Sequence, residues 1–457
     1  MSCLGTYYAV AAKGKWIVGC LFGFVFAYYR QKDDPLVRAD SSRQDDGRRA
    51  GKETTVLAEL KHQVDPDKWP LAQHVKNLEV SIIREILKIT QQPGVISFAG
   101  GLPAPEMFPL EDLARISREV IEKYGPNSLQ YSLSQGIVPL REVIAERATK
   151  AGTPTKIDNV IITCGSQQGI EILARVFVEP GDYILTENPT YVGALQAFQY
   201  YRARYATVEM DDDGMLVDQV EEKIKKFKPK MIYTVSNFQN PTGITMSVER
   251  RRELLEMAAK YSIPVIDDNP YSEVRFAGES LPTLKSIGGD GVIVLKTFSK
   301  TLTPGLRVGW MNGPANIIRQ FEKVKQCTDL HTSTFGQCII AEYIGQGLLE
   351  PQIERLRKDY RTKRDVMLKT MEETFPEGVT WTKPDGGLFL WVTLPKKMSA
   401  KALLRKAIEQ KVAYVYGEPF YPNGGGENTL RLNFSNASHE GIVEGISRLG
   451  RLFKDNL

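Results

Sequence analysis

Short apolar runs alternate with amphipathic helical patterns through the middle of the chain. The runs have the length and β-branched content of buried strands, and they lie at residues 159–163, 183–186, 205–208, 231–235, 264–266 and 291–295. Helical patterns such as residues 248–261 separate several of them. This alternation predicts an α/β domain with a mostly parallel sheet, and ligands of such domains gather at the carboxyl ends of the strands.

The pattern changes after Glu350. We expect an α+β unit there, with helices at 352–373 and 400–410, strands at 388–394, 412–415 and 429–434, and a final helix from Ala437. Residues 80–90 (VSIIREILKIT) predict an amphipathic helix, and the segment around 62–100 is expected to complete this unit. The predicted organisation is an N-terminal extension at 1–61, a smaller domain made from 62–102 and 345–457, and a large domain at 103–344.

Composition excludes several classes of protein. The net charge is only +4, from 59 Lys and Arg against 55 Asp and Glu, which gives no support for nucleic-acid binding. The five cysteines are scattered and form no CxxC pair, so we expect free thiols in a reducing compartment, the cytoplasm. The four histidines lie far apart in sequence, which gives a metal site little support.

The first sixty residues differ from the rest. Residues 16–29 (WIVGCLFGFVFAYY) are uncharged but fall short of the roughly 18–20 residues that a membrane helix needs, and no clear signal-peptidase site follows them. Residues 31–55 are charged and lack hydrophobic periodicity, so we expect a disordered linker. A membrane tether, a signal segment and an extension without structural role remain open interpretations.

The richest chemistry lies in residues 297–310 (TFSKTLTPGLRVGW), directly after the apolar run at 291–295. Lys300 is therefore expected at the carboxyl end of a buried strand. Burial lowers the pKa of a lysine and makes its amine a nucleophile, able to form a Schiff base. The hydroxyls that precede it and Arg307 after the Pro-Gly turn are suited to a phosphate. The alternative is an exposed lysine in a polar loop.

Two other strand ends offer binding groups. Residues 164–169 (CGSQQG) open a predicted helix, whose free N–H groups and dipole attract an anion. Residues 187–191 (ENPTY) present the ring of Tyr191 at another helix start, as a stacking platform or as part of the core.

Two further strand ends supply an amide and carboxylates. In residues 236–243 (SNFQNPTG), the proline fixes the turn and leaves the amide of Asn240 free to bond a ligand oxygen. Asp267 and Asp268 end a buried strand, and because successive side chains alternate between faces, only one of them should face the site.

Together these loops supply a lysine nucleophile, an anion cradle with an arginine, a carboxylate, an aromatic platform, and an Asn and a Tyr to bond a phenolic oxygen. Pyridoxal phosphate requires such a set: a Schiff-base lysine, a partner for the pyridinium nitrogen and an anchor for the phosphate. The sequence therefore predicts a pyridoxal phosphate site and no metal.

The sequence resembles the fold-type I pyridoxal-phosphate aminotransferases of class I/II, from around Val80 to the C-terminus. The motif TFSKTLTPGLR is among the most specific signatures of this resemblance. Within that family, ISFAGGLPAPEMFP, LQYSLSQG, TCGSQQG, SNFQNPTG and GGGENTLRLNFS are similar to the 2-aminoadipate/kynurenine branch. The resemblance implies the fold of the type I transferases, with residues 103–344 as the cofactor-binding domain.

The resemblance also implies roles for single residues. Lys300 forms the Schiff base and moves the proton between the substrate Cα and the cofactor. Asp268 pairs with the pyridinium nitrogen, Tyr191 stacks on the ring, and Asn240 and Tyr271 bond the phenolic oxygen.

The implied phosphate ligands are Ser166, Gln167, Thr297, Ser299 and Arg307, with Tyr131 contributed by the partner subunit of a homodimer. On the substrate side, Arg431 forks onto the α-carboxylate, a geometry that lysine cannot supply. Gly101 lies against the substrate, and Asn240 also belongs to the substrate site.

The resemblance implies transfer of an amino group from a 2-aminoadipate-like, aromatic or aliphatic amino acid to a 2-oxoacid, with 2-oxoglutarate as the expected acceptor, by a ping-pong mechanism. Arg84 either reads a distal substrate carboxylate or is a surface arginine beside Glu85. A β-eliminating lyase on the same fold is the nearest alternative. An aminotransferase-like regulator is the alternative outside enzymes, although residues 1–60 lack a helix-turn-helix pattern.

Overall fold

The structure, a computed structural model, describes residues 9–12, 15–18, 65–76, 84–86 and 93–457. The chain divides into two units, Met1–Leu71 and Ala72–Leu457. In the first unit, the strands β1 (Ala9–Ala12) and β2 (Lys15–Val18) form an antiparallel pair, and a 3₁₀ helix spans Pro66–Lys68.

Two predictions fall largely outside the described residues. Of the apolar segment at 16–29, only residues 16–18 are described, in β2, and the linker predicted at 31–55 is not described at all. Within the part of the chain that the structure does describe, we find no helix with the length and apolar character to cross a membrane.

The strands of the second unit follow the apolar runs of the sequence. They are β3 (Ile96–Ser97), β4 (Val160–Thr163), β5 (Tyr183–Asn188), β6 (Arg204–Asp211), β7 (Gly214–Met215), β8 (Ile232–Thr234), β9 (Val265–Asp268), β10 (Val292–Thr297), β11 (Gly309–Asn312), β12 (Thr380–Trp381), β13 (Phe389–Thr393), β14 (Val412–Ala413), β15 (Val415–Tyr416) and β16 (Thr429–Asn433).

The helices separate these strands. They are α1 (Gln73–Lys76), α2 (Leu110–Tyr124), α3 (Val138–Lys150), α4 (Gly165–Phe177), α5 (Val192–Tyr200), α6 (Val220–Phe227), α7 (Val248–Lys260), α8 (Leu284–Gly288), α9 (Ala315–Gln326), α10 (Thr334–Gly345), α11 (Leu349–Thr374), α12 (Ala400–Glu409) and α13 (His439–Lys454). Residues 84–86 of the predicted helix at 80–90 are helical, and the rest of that helix lies outside the described residues.

The large sheet is mostly parallel, as the sequence predicted. Its strand order is β4-β11-β10-β9-β8-β5-β6-β7, in which β11 and β7 run antiparallel to their neighbours. In β10, Ile293 and Leu295 enter one apolar core while Val292 and Val294 enter another. Burial on both faces explains why this strand reads as a continuous apolar run. Because β4, β5, β8, β9 and β10 all run in the same direction, their carboxyl ends lie along one edge of the sheet.

A second, antiparallel sheet with the order β12-β13-β16-β15 lies in the C-terminal part of the chain. The single strand predicted at 412–415 is wrong, because β14 pairs with β3 whereas β15 pairs with β16. Tyr414 separates the two strands, and its buried hydroxyl donates to the carbonyl of Ala400 at 2.7 Å. The β3–β14 pair joins residues 96–97 to this region, while the domain boundaries stay a prediction.

A buried arginine fixes the loop that follows β8. Arg251 of α7 is fully buried, and its guanidinium donates to the carbonyl oxygens of Ser236, Met246 and Pro282 and to Oδ1 of Asn237, at 2.7–3.1 Å. One side chain thus satisfies acceptors across residues 236–246, which include Asn240. The next residue along α7, Arg252, is exposed.

We expect Arg251→Met to lower the free energy of unfolding by about 3 kcal/mol or more, because it leaves buried acceptors without donors. Arg252→Met is the matched control and should change it by less than about 0.5 kcal/mol. Urea denaturation of both variants measures the difference. Equal effects would show that the buried hydrogen bonds do not hold this loop.

Candidate active site

A cavity of about 260 Å³ opens at the shared edge of the sheet. The predicted site residues that line it are Gly101, Ser166, Gln167, Tyr191, Asn240, Asp268, Tyr271, Thr297, Ser299, Lys300, Arg307 and Arg431. The sequence reasoning missed Leu102, Pro103, Val235, Pro270, Pro304 and Phe389, which line it too. Two predicted residues, Arg84 and Tyr131, do not belong to the lining.

Lys300 follows β10 by three residues, which brings its amine into the cavity. Its Nζ donates to the carbonyl oxygen of Gly101 at 2.8 Å. Burial, together with the positive charges of Arg431 and Arg307, lowers the pKa of Lys300 to about 8. The neutral form of the amine, which is the nucleophile, is therefore far more populated near neutral pH than in an ordinary lysine, although the protonated form still predominates.

The hydroxyls around Lys300 form one side of an anion cradle. The Thr297 Oγ1 lies 2.9 Å from the Ser299 Oγ and accepts a hydrogen bond from the Ser299 N–H at 3.1 Å. Both side chains are buried and line the cavity. Ser166 also lines the cavity, in the first turn of α4, where backbone N–H groups have no partner inside the helix.

Arg307 closes the cradle. It follows a 3₁₀ turn at Pro304–Leu306 in a left-handed conformation (φ 54°), and its Nη2 donates to the carbonyl of Cys164 at 3.3 Å. A Cβ on Gly165 would lie 2.6 Å from that Nη2, and Gly165 has φ 72°. Glycine at the start of α4 is therefore what lets the guanidinium reach the helix N-terminus. The guanidinium of Arg307 and the N-terminus of α4 both favour binding of an anion at this point.

Asp268 is the carboxylate that faces the cavity. Its Oδ2 accepts a hydrogen bond from the hydroxyl of Tyr233 at 2.6 Å, while its buried Oδ1 has no partner among the described residues. Burial raises the pKa of Asp268 to about 7, and the neighbouring charge of Asp267 adds to the effect. A buried carboxylate oxygen without a donor is suited to a cationic N–H group.

The alternation along β9 turns Asp267 away from the cavity, as the sequence predicted. Asp267 accepts hydrogen bonds from the Ser236 hydroxyl at 2.7 Å and from the Asn269 amide at 3.1 Å. Burial still raises the pKa of Asp267. Its carboxylate is thus paired within the protein, and only Asp268 is available to a ligand.

Arg431 on β16 brings a second buried cation to the cavity. It is 1% exposed, its Nη1 donates to Oδ1 of Asn240 and its Nη2 to the carbonyl of Ala99, both at 2.7 Å, and its Nε has no partner among the described residues. The guanidinium carbon lies 4.2 Å from the ring centre of Phe389 and 5.2 Å from that of Phe420. Burial lowers the pKa of Arg431 to about 10, so it stays charged at neutral pH.

Two further polar side chains, Asn240 and Tyr271, line the cavity with Arg431. Asn240 accepts a hydrogen bond from Arg431 at 2.7 Å. Burial raises the pKa of Tyr271, so its hydroxyl keeps its proton and can donate to an anionic oxygen. The ring of Tyr271 meets Phe389 edge to face at 5.9 Å.

Tyr191 lies directly before α5, as its sequence position suggested. Burial and the charge of Asp268 raise the pKa of Tyr191 to about 12. Its hydroxyl is 3.5 Å from Oε1 of Gln167, whose Nε2 donates to the carbonyl of Gly193 at 2.8 Å. Gln167 therefore braces the ring of Tyr191 from α4 while it lines the cavity itself.

The two predicted residues outside the lining differ from each other. Arg84 is exposed, yet its charge is close enough to lower the pKa of Tyr191. Tyr131 is 79% exposed, and its ring meets His331 edge to face at 5.7 Å. Arg84 thus lies within electrostatic range of the cavity, whereas Tyr131 does not line the cavity of its own chain.

A buried acid that the sequence reasoning left without a role supports the Asn240 loop. Glu187 at the end of β5 accepts hydrogen bonds from the Gln239 Nε2 at 3.1 Å and from the Val235 N–H at 3.3 Å. Gln239 in turn accepts from the N–H and hydroxyl of Thr242, at 2.8 and 2.7 Å. Burial raises the pKa of Glu187 to about 7. The one sequence signal for a role of Glu187 was its position at the end of a predicted strand.

The cavity fits pyridoxal phosphate. It combines a lysine with a lowered pKa for the aldehyde, a cradle of hydroxyls, helix N-terminus and arginine for the phosphate, and the unpartnered Oδ1 of Asp268 for a protonated ring nitrogen. A separate cation, Arg431, remains for a substrate carboxylate. Among the described residues, no group of His, Cys, Asp and Glu side chains is placed to hold a metal ion.

Comparison with known proteins agrees with this chemistry. The family model described as aminotransferase class I and II matches residues 104–449. The aromatic-amino-acid aminotransferase 1 of Thermococcus litoralis is 43% identical over 401 residues, which is 86% of this chain and 96% of that protein.

Two solved structures are similar in fold as well as in sequence. The Pyrococcus horikoshii kynurenine aminotransferase, in complex with PMP, has a TM-score of 0.82 and 43% identity over 88% of this chain and 99% of its own. The α-aminoadipate aminotransferase of Thermus thermophilus, in complex with N-(5′-phosphopyridoxyl)-L-leucine, has a TM-score of 0.79 and 39% identity, over 84% of this chain and 97% of its own. This protein therefore belongs to the class I and II aminotransferases of fold type I, and it is a transaminase with pyridoxal phosphate as its cofactor.

Proposed function

We propose that the enzyme moves the amino group of 2-aminoadipate, aromatic and aliphatic amino acids to 2-oxoglutarate by two half-reactions that alternate in one site. The observation that carries this proposal is the pairing of a lysine of lowered pKa with a buried arginine in one small cavity. The similar proteins are named for aromatic amino acids, kynurenine and α-aminoadipate, which supports broad specificity.

Arg431 is the proposed site for the α-carboxylate of both donor and acceptor. Its unpartnered Nε and charged guanidinium suit a carboxylate, and the flanking rings of Phe389 and Phe420 restrict its movement. Asn240 fixes one end of the guanidinium, and Gly101 offers the substrate a wall without a side chain. The chain thus places any α-amino acid in the same orientation, whatever its side chain.

Lys300 is the proposed acid–base group of the reaction. Pyridoxal phosphate, when bound, supplies an electron sink for the bond that breaks at the substrate Cα. The lysine amine moves the proton, and a pKa of about 8 suits it to both accept and donate near neutral pH. When the amine is free, the carbonyl of Gly101 accepts a hydrogen bond from it and keeps it at the cavity wall.

Covalent capture of pyridoxal phosphate by the cofactor-free protein should accelerate with pH up to about pH 8 and then level off, because the neutral fraction of Lys300 rises until its pKa is passed. Lys300→Ala should abolish capture and lower transamination by at least about 1,000-fold. Stopped-flow absorbance measures the capture, and borohydride reduction with peptide mapping locates the bond.

Lys285 is the internal control for this experiment. It is also buried with a lowered pKa, but its amine donates to the carbonyls of Gly289 and Val292, away from the cavity. Label at Lys285, or full transamination by Lys300→Ala, would contradict the assignment.

Arg84 is the proposed reader of a distal carboxylate on the donor. The charge of Arg84 acts on Tyr191, whose side chain lines the cavity. Since Arg431 binds the α-carboxylate, a second arginine in range of the same cavity is suited to the second carboxylate of 2-aminoadipate or 2-oxoglutarate.

We expect Arg84→Ala to lower kcat/KM for 2-aminoadipate by about 10- to 100-fold, the value of a charged hydrogen bond, and for leucine or phenylalanine by less than about threefold. Arg84→Lys, which keeps the charge but loses the fork, should fall between them. A donor panel with 2-oxoglutarate held at saturation gives the values. Equal losses for acidic and apolar donors would contradict the role of Arg84.

We also propose that the enzyme is a homodimer in which Tyr131 completes the phosphate site of the partner subunit. Leu129, Tyr131 and Leu133 are 69%, 79% and 58% exposed within one short segment. So dense an apolar surface is typical of an interface between subunits.

Mixing subunits tests this arrangement. Tyr131→Ala and Lys300→Ala homodimers should each be impaired, whereas a hybrid of the two has one site with both native residues and should regain activity. Co-expression with two different affinity tags isolates the hybrid, and its steady-state rate is the measurement. A hybrid no more active than its parents would mean that Tyr131 does not act across the interface.

We also propose that the enzyme is cytoplasmic and has two domains. The free thiols of Cys164, Cys327 and Cys338 are consistent with the reducing cytoplasm. The large domain is proposed to span residues 103–344, with the smaller domain formed by 62–102 and 345–457.

A further inference from the structure

The carboxylate of Asp268 has two different environments. Its Oδ2 accepts a hydrogen bond from the Tyr233 hydroxyl at 2.6 Å, and its Oδ1 is buried without a partner among the described residues. A carboxylate that makes one strong hydrogen bond is held in orientation by it, and its second oxygen then points in a fixed direction.

The sheet explains why Tyr233 reaches Asp268. β8 and β9 are parallel neighbours in which Tyr233 stands opposite Ile266, two residues before Asp268. The long side chain of Tyr233 spans that offset along the strand. Its ring is fully buried and meets the ring of Phe198 edge to face, at 5.4 Å and 82°. The hydroxyl is thus fixed both by the strand and by packing from α5.

We propose that Tyr233 is a positioning residue, which holds Asp268 with Oδ1 turned to the ring nitrogen of pyridoxal phosphate and stabilises its negative charge. This inference rests on the proposed role of Asp268. Burial and Asp267 both favour the protonated form of Asp268, whereas the hydrogen bond from Tyr233 favours the ionised form. The ionised form is the one that accepts a hydrogen bond from a protonated ring nitrogen.

Tyr233 remains a donor throughout the working pH range. Burial and the charge of Asp268 raise the pKa of its hydroxyl well above the ordinary value. The hydroxyl of Tyr233 therefore stays protonated, and it donates a hydrogen bond to Asp268.

The test uses two ligands on cofactor-free protein: pyridoxal phosphate and its analogue with carbon in place of the ring nitrogen. Tyr233→Phe removes one hydroxyl and should weaken binding of pyridoxal phosphate by about tenfold, while binding of the analogue changes by less than about twofold. Isothermal titration calorimetry measures both dissociation constants. With the cofactor bound, kcat should fall about tenfold at little change in KM.

Tyr414→Phe is the matched control. Tyr414 is equally buried and donates one hydrogen bond, to the carbonyl of Ala400 at 2.7 Å, but it does not line the cavity. It should leave both dissociation constants unchanged. If Tyr233→Phe does not fold, Phe198→Leu removes the ring that supports Tyr233 and should weaken pyridoxal phosphate binding selectively in the same way.

Two results overturn the inference. Equal weakening for both ligands would mean that Tyr233 has only a structural role, and no weakening for either would mean that it has none. Asp268→Asn separates these from failure of the proposed site. If it removes the preference for the ring nitrogen while Tyr233→Phe keeps it, only the role of Tyr233 fails. If Asp268→Asn keeps the preference, both assignments fail.

Discussion

The charged side chains buried in the cavity make fewer hydrogen bonds than they could. The surrounding structure holds each of them in that position. Lys300, Arg431 and Asp268 each make hydrogen bonds to the protein, yet Nε of the arginine and Oδ1 of the aspartate have no partner among the described residues. Charges with unmet hydrogen bonds are costly in a protein interior. A phosphorylated pyridine cofactor and a carboxylate substrate would supply the missing partners. Binding of these ligands would therefore offset the free energy that the unpaired buried groups cost the folded protein.

Two kinds of support keep these charges apart. The parallel strands fix the distances along the sheet edge, because Asp268 ends, and Asn240 and Lys300 follow, strands that are buried on both faces. The antiparallel sheet of the C-terminal region contributes Arg431, whose guanidinium lies against the rings of Phe389 and Phe420. Where the two meet, Glu187 and Gln239 secure the Asn240 loop, and the Thr382 hydroxyl donates to the carbonyl of Thr242 at 2.7 Å.

Most of the site residues that the sequence could predict lie at, or directly after, the ends of strands. The apolar runs located the parallel strands within a few residues, and the loops after them contained Lys300, Asp268 and Arg307. Alternation along β9 also separated Asp268 from Asp267, since a period of two is a local property of a strand. The prediction failed at 412–415, because no local pattern shows that a chain changes from one sheet to another.

By itself, the sequence determined the class of chemistry, since an aspartate at one strand end and a lysine and an arginine after the next strand are set by local patterns and motif spacing. The tertiary structure decided which groups act on those residues. Tyr233 and Glu187 became visible only when neighbouring strands aligned, and Phe389 only when the antiparallel sheet met the cavity. Their contacts join residues far apart in the chain, and burial, which sets the pKa of Lys300 and of Asp268, is a property of the folded interior.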